Sequence, residues 1–430
     1  MQGLKSKLFC GVLLATVGIQ QASAQVNNNT FTGENSPYSR FGIGDLRNQA
    51  NVVNRGMGGI GIAYNKTNGV NYLNPASYAF LGSTAFEVGA EVSTRNISTG
   101  SESFRSGTGS PAYVNIGVPV AKNFGLSFGL VPYSRTYYNF QNTDSVPNLA
   151  RVQNQFLGKG SLNQVYLGGA GKWKGLALGV NVGYLFGTSV TQQRLLFPDS
   201  LMYMNSNYNT SINWGNLFWN AGLMYEYQVK HNHFLRAGLT YSASQHLKGK
   251  KDEIVHTFRY NSPTTYPKDT AYASKGIKGD LVLPQTVAFG LMYEQYRKFQ
   301  VGVDFQAANW SNYTNYGLTD SVASSTWKLN AGLEYTPDYQ AVNGYLKKVS
   351  YRLGFYTGKE YVYLHNTPMN TWAVTAGAGL PFRRNAAAVN FALEVGQRAG
   401  NIPGLPKESF VKFSLGLSLT DTWFKRPKYN

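Results

Sequence analysis

The sequence predicts an all-β protein: a transmembrane antiparallel β-barrel of about 14 strands, with an N-terminal hatch, or plug, inside its lumen. Three observations lead to this fold. From Thr84 onward, segments of ten to nineteen residues alternate apolar with small or polar side chains. The connections between them alternate between short and long. Finally, only 14% of the 430 residues are charged, against about 25% in an ordinary soluble domain.

Composition excludes two other classes of protein. Beyond the first 20 residues, no segment approaches the ~20 apolar residues that a membrane helix needs, so a helical membrane protein is excluded. An aromatic content of 14% excludes a disordered chain. A formal net charge of +18 needs an explanation, because a basic chain invites a nucleic-acid partner.

The N-terminus predicts export. Residues 1–24 have the pattern of a signal peptide: a positive start at Lys5 and Lys7, an apolar stretch over 8–19, and the small residues Ala22-Ser23-Ala24 before the cleavage site. We therefore expect cleavage after Ala24 and a location in the outer membrane of a Gram-negative cell. Export argues against nucleic acid as a partner.

Cysteine chemistry is excluded by the same segment. Cys10 is the only cysteine of the chain, and it lies inside the predicted signal peptide. The exported protein would then have no disulfide, no catalytic thiol and no Cys-based metal site.

Residues 25–83 do not show the alternation of a strand, and residues 84–430 form the predicted barrel. The earlier segment contains SPYSRFGIGDL (36–46), RGMGGIGIA (55–63) and NPAS (74–77). It is rich in glycine and nearly uncharged, so it can pack closely against other backbone. A barrel of fourteen strands would leak unless something filled its lumen, so we expect this segment to be the plug.

Alternation of side chains defines each predicted strand. In the last one, Val411, Phe413 and Leu415 lie on one face and Lys412 and Ser414 on the other. The predicted strands are about 84–99, 111–121, 124–134, 161–172, 175–190, 211–229, 233–247, 280–295, 299–310, 326–336, 348–358, 369–382, 386–398 and 408–421. The long outer loops are predicted at 100–110, 135–160, 191–210, 248–279, 311–325, 359–368 and 399–407.

Two pairs of opposite charges test the register of these strands. Glu226 and Arg236 flank a predicted short turn symmetrically, and Glu334 and Arg352 flank the link at 337–347. Each pair is predicted to meet in the lumen, as a stabilising pair rather than a substrate site. The other inward charges are expected to be isolated.

Nothing in the sequence indicates an enzyme, a metal site or a cofactor. His231 and His233 have the spacing of two metal ligands on a strand, but no nearby Asp or Glu completes a site, so we interpret them as solvated turn residues. No positioned nucleophile marks a hydrolase. The GxGxxG pattern at 56–61 follows no strand, which argues against a dinucleotide site.

The order of the motifs resembles the FadL family of outer-membrane transporters for long-chain fatty acids and hydrocarbons. The resemblance covers nearly the whole exported chain: RGMGGIGIA, then NPAS, then about fourteen strands, with GLVPYS (129–134) and LPQT (283–286) within them. SPYSRFGIGDL and the closing DTWFKR (421–426) resemble the Bacteroidetes members. The hatch residues that the resemblance implies are Arg55, Gly56, Gly58, Gly59, Gly61, Asn74, Pro75 and Ala76.

The resemblance implies passive uptake of a hydrophobic or amphipathic solute, with a side exit beside a kinked strand. Gly125 and Gly129 are the candidates for the kink. Arg135 or Lys159 would meet a carboxylate at the mouth, or alternatively would be solvated loop cations that contact lipopolysaccharide phosphates. The candidate ligand-access residues are Tyr133, Arg135, Tyr137, Tyr138, Phe140, Phe156 and Lys159.

Two other functions are compatible with the sequence. Some relatives in Bacteroidetes are partners of the type IX secretion machinery rather than channels; an intact plug and a sealed wall would favour that role. A polar-solute porin is the third hypothesis, and the plug argues against it. The positive charge is expected at the two rims of the barrel, where outer-membrane lipid and lipopolysaccharide provide anionic surfaces.

Overall fold

The computed structural model describes residues 35–100, 102–145, 151–199, 202–261, 264–364, 367–382, 387–400 and 404–421. The predicted signal peptide, residues 25–34 of the predicted hatch segment, the predicted turn at 383–385 and most of the DTWFKR motif lie outside these residues. No helix in the described ranges is long and apolar enough to cross a membrane.

Seventeen strand segments make up the described sheet. They are β1 (Asp45–Leu46), β2 (Thr84–Thr99), β3 (Glu102–Ala121), β4 (Phe124–Ser145), β5 (Arg151–Trp173), β6 (Leu176–Leu196), β7 (Asn205–Lys230), β8 (His233–Ser242), β9 (Gln245–Asn261), β10 (Thr264–Leu283), β11 (Gln285–Gln295), β12 (Phe299–Asn309), β13 (Ser325–Tyr335), β14 (Ser350–Leu364), β15 (Thr367–Phe382), β16 (Ala387–Ala399) and β17 (Lys407–Asp421).

The wall is a closed antiparallel barrel of fourteen strands, as predicted. The last strand pairs with the first over Lys407↔Ser98 to Asp421↔Thr84, which closes the ring. Two wall strands are each interrupted once and so consist of two segments, β8 with β9 and β10 with β11. The short β1 precedes the wall and is described with the functional site.

The outer surface of the wall is an apolar belt. Outward side chains remain open on this surface: Leu167 is 61% exposed, Leu178 59% and Leu217 68%. Such a surface is stable only against lipid, and lipid offers no hydrogen-bond partner, so the sheet must close on itself. The predicted alternation of strand faces therefore reflects lipid outside and lumen inside.

Both tests of the register are confirmed. Glu226 pairs directly with Arg236, and Nε of Arg236 lies 2.7 Å from Oε2 of Glu226. Glu334 pairs directly with Arg352, with 2.5 Å between Oε2 and Nε. The turn placement from the sequence is therefore correct at both sites.

Five of the predicted outer loops are wrong, because most of their residues continue the strands. The residues of 100–110 belong mainly to β3, those of 135–160 to β4 and β5, and those of 191–210 to β6 and β7; likewise 248–279 belongs to β9 and β10, and 359–368 to β14 and β15. Beyond the lipid a hairpin needs no apolar face, so the period-two pattern disappears while backbone pairing continues.

The lumen contains residues 48–83, here called the inner ring. This segment runs around the inside of the wall and contacts one strand after another. They include helix α1 (Val52–Gly56) and a 3₁₀ helix at Pro75–Phe80. The ring lies against inward-facing glycines of successive strands, where an added Cβ would collide with ring atoms. The contacts are Gly416 with Val52, Gly377 with Gly56, Gly332 with Met57, Gly238 with Ile62, Gly222 with Asn74, Gly179 with Pro75 and Gly125 with Tyr78.

These wall glycines are predicted to be required for seating the inner ring. A Cβ at Gly179 would lie 2.5 Å from the Pro75 carbonyl carbon, which is backbone and cannot move aside. We expect Gly179→Val to destabilise the protein by about 3 kcal/mol, at the upper end for overpacking, and to expose the ring to protease. The control is Gly169→Val, since a Cβ there meets only a side-chain carbon of Leu126 at 3.2 Å. Urea unfolding in vesicles, with limited proteolysis, compares the two; equal behaviour contradicts the prediction.

Candidate functional site

The wall has a seam between β3 and β4. The two strands pair only from Ala121↔Phe124 to Val114↔Leu130. Above Val114, both strands continue, but within the described residues they no longer pair with each other. There β3 pairs only with β2, and β4 pairs with β5. The upper part of the wall is therefore not closed by its own strands at this position.

Residues 35–47, here called the strap, occupy the seam. Strand β1 pairs with β4 through Asp45↔Arg135 and Leu46↔Ser134. Arg47 N–H donates to the Tyr133 carbonyl oxygen at 2.9 Å. Further along β4, a strap backbone N–H, that of Ser36, donates to the Tyr137 carbonyl oxygen at 3.1 Å. The strap thus supplies the partner that β3 does not provide.

The strap also contacts β3 and the outer loops. The Asn35 N–H donates to Ser106 Oγ of β3 at 3.2 Å. On the outer side, Gly42 N–H donates to Asp320 Oδ2 at 2.6 Å, and the Tyr361 hydroxyl donates to the carbonyl oxygen of residue 41 at 3.1 Å. Loop 311–324 and β14 therefore cover the strap from outside.

A buried charge cluster fastens the strap to the wall. Asp45 lies 3.0 Å from Arg95 and 2.8 Å from Arg398. Glu408 lies 3.0 Å from Arg95 and accepts a 2.5 Å hydrogen bond from Ser36 Oγ. Glu360 completes the cluster at 2.5 Å from Arg398. Three carboxylates and two guanidinium groups thus form one cluster, which includes a strap carboxylate and binds a strap hydroxyl.

The arginine and asparagine of the predicted hatch set anchor the inner ring. Arg55 pairs with Glu91 of β2, and its Nε donates to the carbonyl oxygen of residue 50 at 2.8 Å. Asn74 caps the 3₁₀ helix by accepting from Ala76 N–H at 3.0 Å, and its Nδ2 donates to the carbonyl oxygen of residue 223 at 3.1 Å. Pro75 opens that helix, where its missing N–H costs no bond.

The predicted hatch glycines contribute to the inner ring in three ways. Gly58 and Gly59 have φ of +70° and +84°, which favour glycine. Gly56 lies close to the wall backbone, and a Cβ there would be 3.2 Å from the Cα of residue 377. Gly61 N–H donates to Asp304 Oδ2 at 2.6 Å, so a wall carboxylate binds the ring backbone.

Four of the predicted ligand-access residues lie on β4 beside the strap. Tyr133 lines the lumen, and Arg135 pairs with the strap backbone. The Tyr137 N–H donates to Ser39 Oγ at 3.1 Å, and Tyr138 is buried. The structure therefore brings these four residues together, with the strap as their common neighbour.

Of the other predicted access residues, Phe140 and Phe156 lie farther toward the outer rim, whereas Lys159 on β5 pairs directly with Tyr137. Phe140 and Phe156 stack with ring centroids 5.1 Å apart, and the guanidinium carbon of Arg40 lies 4.9 Å from the Phe156 centroid. Lys159 is exposed. The strap thus covers the aromatic part of the predicted groove and leaves the lysine open.

The predicted kink glycines sit below the seam. Gly129 immediately precedes Leu130, where the pairing of β3 with β4 ends. Gly125 faces the Tyr78 carbonyl oxygen of the inner ring. β4 is continuous through both glycines, and its irregularity lies higher, between Pro132 and Ser134.

A cavity of about 390 Å³ remains in the lumen between the strap and the inner ring. Apolar lining comes from Tyr72, Leu185 and Phe218, and polar lining from the charge cluster and from a lysine on β13. Two buried amides that line it, Gln164 Nε2 and Asn330 Oδ1, have no hydrogen-bond partner. The space is of a size that accommodates a small amphipathic molecule.

The expectation of isolated lumen charges is wrong. Arg236 contacts both Glu226 and Glu294, Lys412 lies 2.6 Å from Glu394, and the strap cluster joins five groups. Sequence reasoning missed this cluster because its members lie far apart in the chain. The one sequence signal for the cluster was the presence of a charged residue on the inward face of a strand whose other inward residues are small.

Among the described His, Cys, Asp and Glu side chains, none form a group of three that could hold a metal. His233 instead bonds the Tyr293 hydroxyl at 2.6 Å, and His246 lies 2.9 Å from Asp280.

The chain matches one family model and several solved structures. The family model, described as BamG, matches residues 9–430. Among solved structures, the toluene transporter TbuX of Ralstonia pickettii is similar at a TM-score of 0.55 and 15% identity, over 86% of this chain and 97% of that one. The toluene transporter TodX of Pseudomonas putida is similar at 0.54 and 14%, over 89% and 100%.

A FadL homologue of Pseudomonas aeruginosa is also similar, at a TM-score of 0.54 and 14% identity, over 86% of this chain and 98% of that one. No curated protein matches the chain. At these identities the solved structures show that the fold is shared, and nothing more.

Proposed function

The chain belongs to the BamG family, and from its sealed seam and lumen cavity we propose that it is an outer-membrane barrel for passive transport of hydrophobic or amphipathic solutes. The long-chain fatty acids and hydrocarbons inferred from the sequence are the candidate solutes. The apolar belt and the predicted export signal support the outer-membrane location. The fold shared with TbuX and TodX, which are toluene transporters, is consistent with the proposal.

The observation that carries the proposal is the lumen cavity that lies behind the strap. Leu46, Arg47 and Tyr133 line the cavity on the seam side. A seam closed by a short strap can open without separating two paired wall strands. A side exit through a continuous ladder would instead leave unsatisfied backbone groups in lipid, at several kcal/mol for each group. In this structure the strap is closed, so passage through the seam requires its movement.

The chemistry of the cavity agrees with an amphipathic solute. The apolar tail of the solute would lie on Tyr72, Leu185 and Phe218. A polar solute would have no apolar group to pack against these side chains. Its head would reach the ammonium of Lys328 on β13, a strong donor to an anionic head because charge-assisted hydrogen bonds are the stronger kind. A neutral head would instead meet the unpartnered amide of Gln164.

Uptake of labelled solute tests the proposal directly. In a Gram-negative host that lacks its own fatty-acid transporter, the protein is expected to raise uptake of labelled oleate or toluene severalfold over an empty vector. Gly169→Val, whose side chain faces lipid, should transport at the same rate as the unchanged protein. Uptake at the vector level, with normal amounts of heat-modifiable barrel in the membrane, would contradict the proposal.

A second candidate function is favoured by the same seal. The strap, the inner ring and the buried charge cluster close the barrel in this structure. A closed barrel is expected of a protein that acts as a subunit of a larger complex, as well as of a gated transporter. The partner would be a secretion subunit, such as a component of the type IX machinery. Mild-detergent purification tests it: a stoichiometric subunit together with normal uptake in a deletion strain would favour this role.

The positive rims are proposed as contacts to anionic lipid. The β9–β10 hairpin carries exposed Lys248, Lys250, Lys268 and Lys278. Such a surface fits the phosphates of lipopolysaccharide, and the attraction weakens with salt.

A further inference from the structure

The wall has a second gap, between β7 and the strand made of β8 and β9. β7 pairs with β8 as far as Ala221↔Tyr241 and with β9 from Gly215↔Lys248. Between these ends, residues 216–220 face residues 242–247 with no ladder pair in the described backbone. The second stretch is one residue longer, so the two ladders are out of step by one residue.

Side chains bridge this gap where the backbone does not. Gln245 Nε2 donates to the Trp219 carbonyl oxygen at 2.9 Å, and Trp219 N–H donates to Gln245 Oε1 at 3.3 Å. Asn216 Nδ2 donates to the His246 carbonyl oxygen at 2.5 Å. A side chain can swing away by changing rotamer, whereas a ladder must be broken along its length. Gln245 is therefore positioned as a latch.

The lumen cavity reaches this gap. Asn220, Ser242 and Gln245 all line it. The Asn220 Oδ1 atom is buried without a hydrogen-bond partner, which is unusual unless water or a ligand meets it. At the same level Pro284, which has no N–H to donate, separates β10 from β11. The LPQT motif thus interrupts the wall beside the gap.

The gap lies at the upper edge of the apolar belt. Leu217 is 68% exposed and Trp219 42%, while the outward positions that follow toward the outer rim are Gly215 and Asn213. Trp219 and Tyr241 flank the gap with ring centroids 6.1 Å apart. Aromatic side chains of this kind mark the boundary between hydrocarbon and headgroups, where amphipathic molecules collect.

We propose that this gap is a second lateral window, latched by Gln245, through which an amphipathic solute passes between the outer leaflet and the lumen cavity. The solute has an apolar body and a polar head that hydrogen-bonds with the amides of Asn220 and Gln245. The window rests on the proposed transport function and adds to it a route away from the seam.

Labelling of a cysteine at the window tests the opening without any substrate. The single change Asn220→Cys gives a reporter, and the protein is placed in vesicles of phosphatidylcholine and phosphatidylglycerol. A pyrene maleimide dissolved in the bilayer competes with a sulfonated maleimide in the water. Adding Gln245→Ala is expected to raise the rate of pyrene labelling at least tenfold and to leave the sulfonated reagent unchanged.

The control is Gln285→Ala: Gln285 lies near the same level, but its side chain donates to the Tyr241 hydroxyl, at 3.4 Å, and not to the Trp219 backbone. If Gln245→Ala fails to insert, Gln245→Asn replaces it, because the shorter amide cannot reach Trp219. Unchanged pyrene labelling, or an equal rise with both reagents, overturns the window. If pyrene labelling rises but the protein does not raise solute uptake, the window is supported and the proposed transport function is contradicted.

Discussion

Locking the strap to β4 is expected to abolish solute uptake reversibly. Leu46 and Ser134 are directly paired across the seam, and paired positions of neighbouring strands have the Cα separation that a disulfide needs. We expect Leu46→Cys combined with Ser134→Cys to reduce labelled-oleate uptake at least tenfold under oxidising conditions and to recover it with dithiothreitol. Cys10, in the predicted signal peptide, is the only native cysteine, so no other disulfide competes.

Two controls distinguish a locked gate from a damaged barrel. Each single cysteine variant should transport normally whether oxidised or reduced. A second cysteine pair replaces Val374 and Val395, which are paired on β15 and β16 within the wall, and it should leave uptake unchanged. Normal uptake with the strap locked would contradict the seam as the route and would favour the window.

The wall was predictable from the sequence because each strand records its two environments locally. Val411, Phe413 and Leu415 face lipid while Lys412 and Ser414 face the lumen, so a short stretch of sequence is enough to place β17. Where the hairpins leave the lipid, as in upper β4 and β5, both faces carry polar residues. The alternation then disappears, and the sequence predicts loops where the structure has strands.

The strap could not be predicted in the same way. SPYSRFGIGDL has no period, and its place depends on partners far along the chain: Asp45 pairs with Arg135 on β4 and binds Arg398 on β16. The glycines of the inner ring predict a plug, but they do not predict its path. That path depends on which wall strands carry an inward glycine at the same height, which only the register of the closed barrel determines.

Removing Arg398 is expected to release the strap and to have the largest effect of any single change on its stability. Arg398 lies 2.8 Å from Asp45 and 2.5 Å from Glu360, and it also faces Glu408 at 3.6 Å. In Arg398→Met, Asp45 and Glu408 would share Arg95, and Glu360 would lose its partner. Removing one partner of a buried ion pair costs about 3–5 kcal/mol, because the remaining charge stays buried without compensation.

The readout is access to the strap itself. Ile43 is 7% exposed, so the introduced cysteine of Ile43→Cys should react slowly with a water-soluble maleimide in the otherwise unchanged protein. We expect Arg398→Met to raise that rate at least tenfold. Arg151→Met is the matched control: its pair with Asp199 is solvent-exposed, and exposed pairs contribute little.

A second change separates electrostatics from lost packing. The only ion pair of Glu360 in the described structure is with Arg398, so adding Glu360→Gln removes a carboxylate without breaking another bond of the cluster. If uncompensated charge releases the strap, Arg398→Met with Glu360→Gln should label more slowly than Arg398→Met alone, a non-additive result expected for groups of one network. Equal labelling of the two would show that the unpaired charge of Glu360 does not release the strap, which leaves the pairs of Arg398 with Asp45 and Glu408 and its contact with the Tyr38 ring, 5.1 Å away.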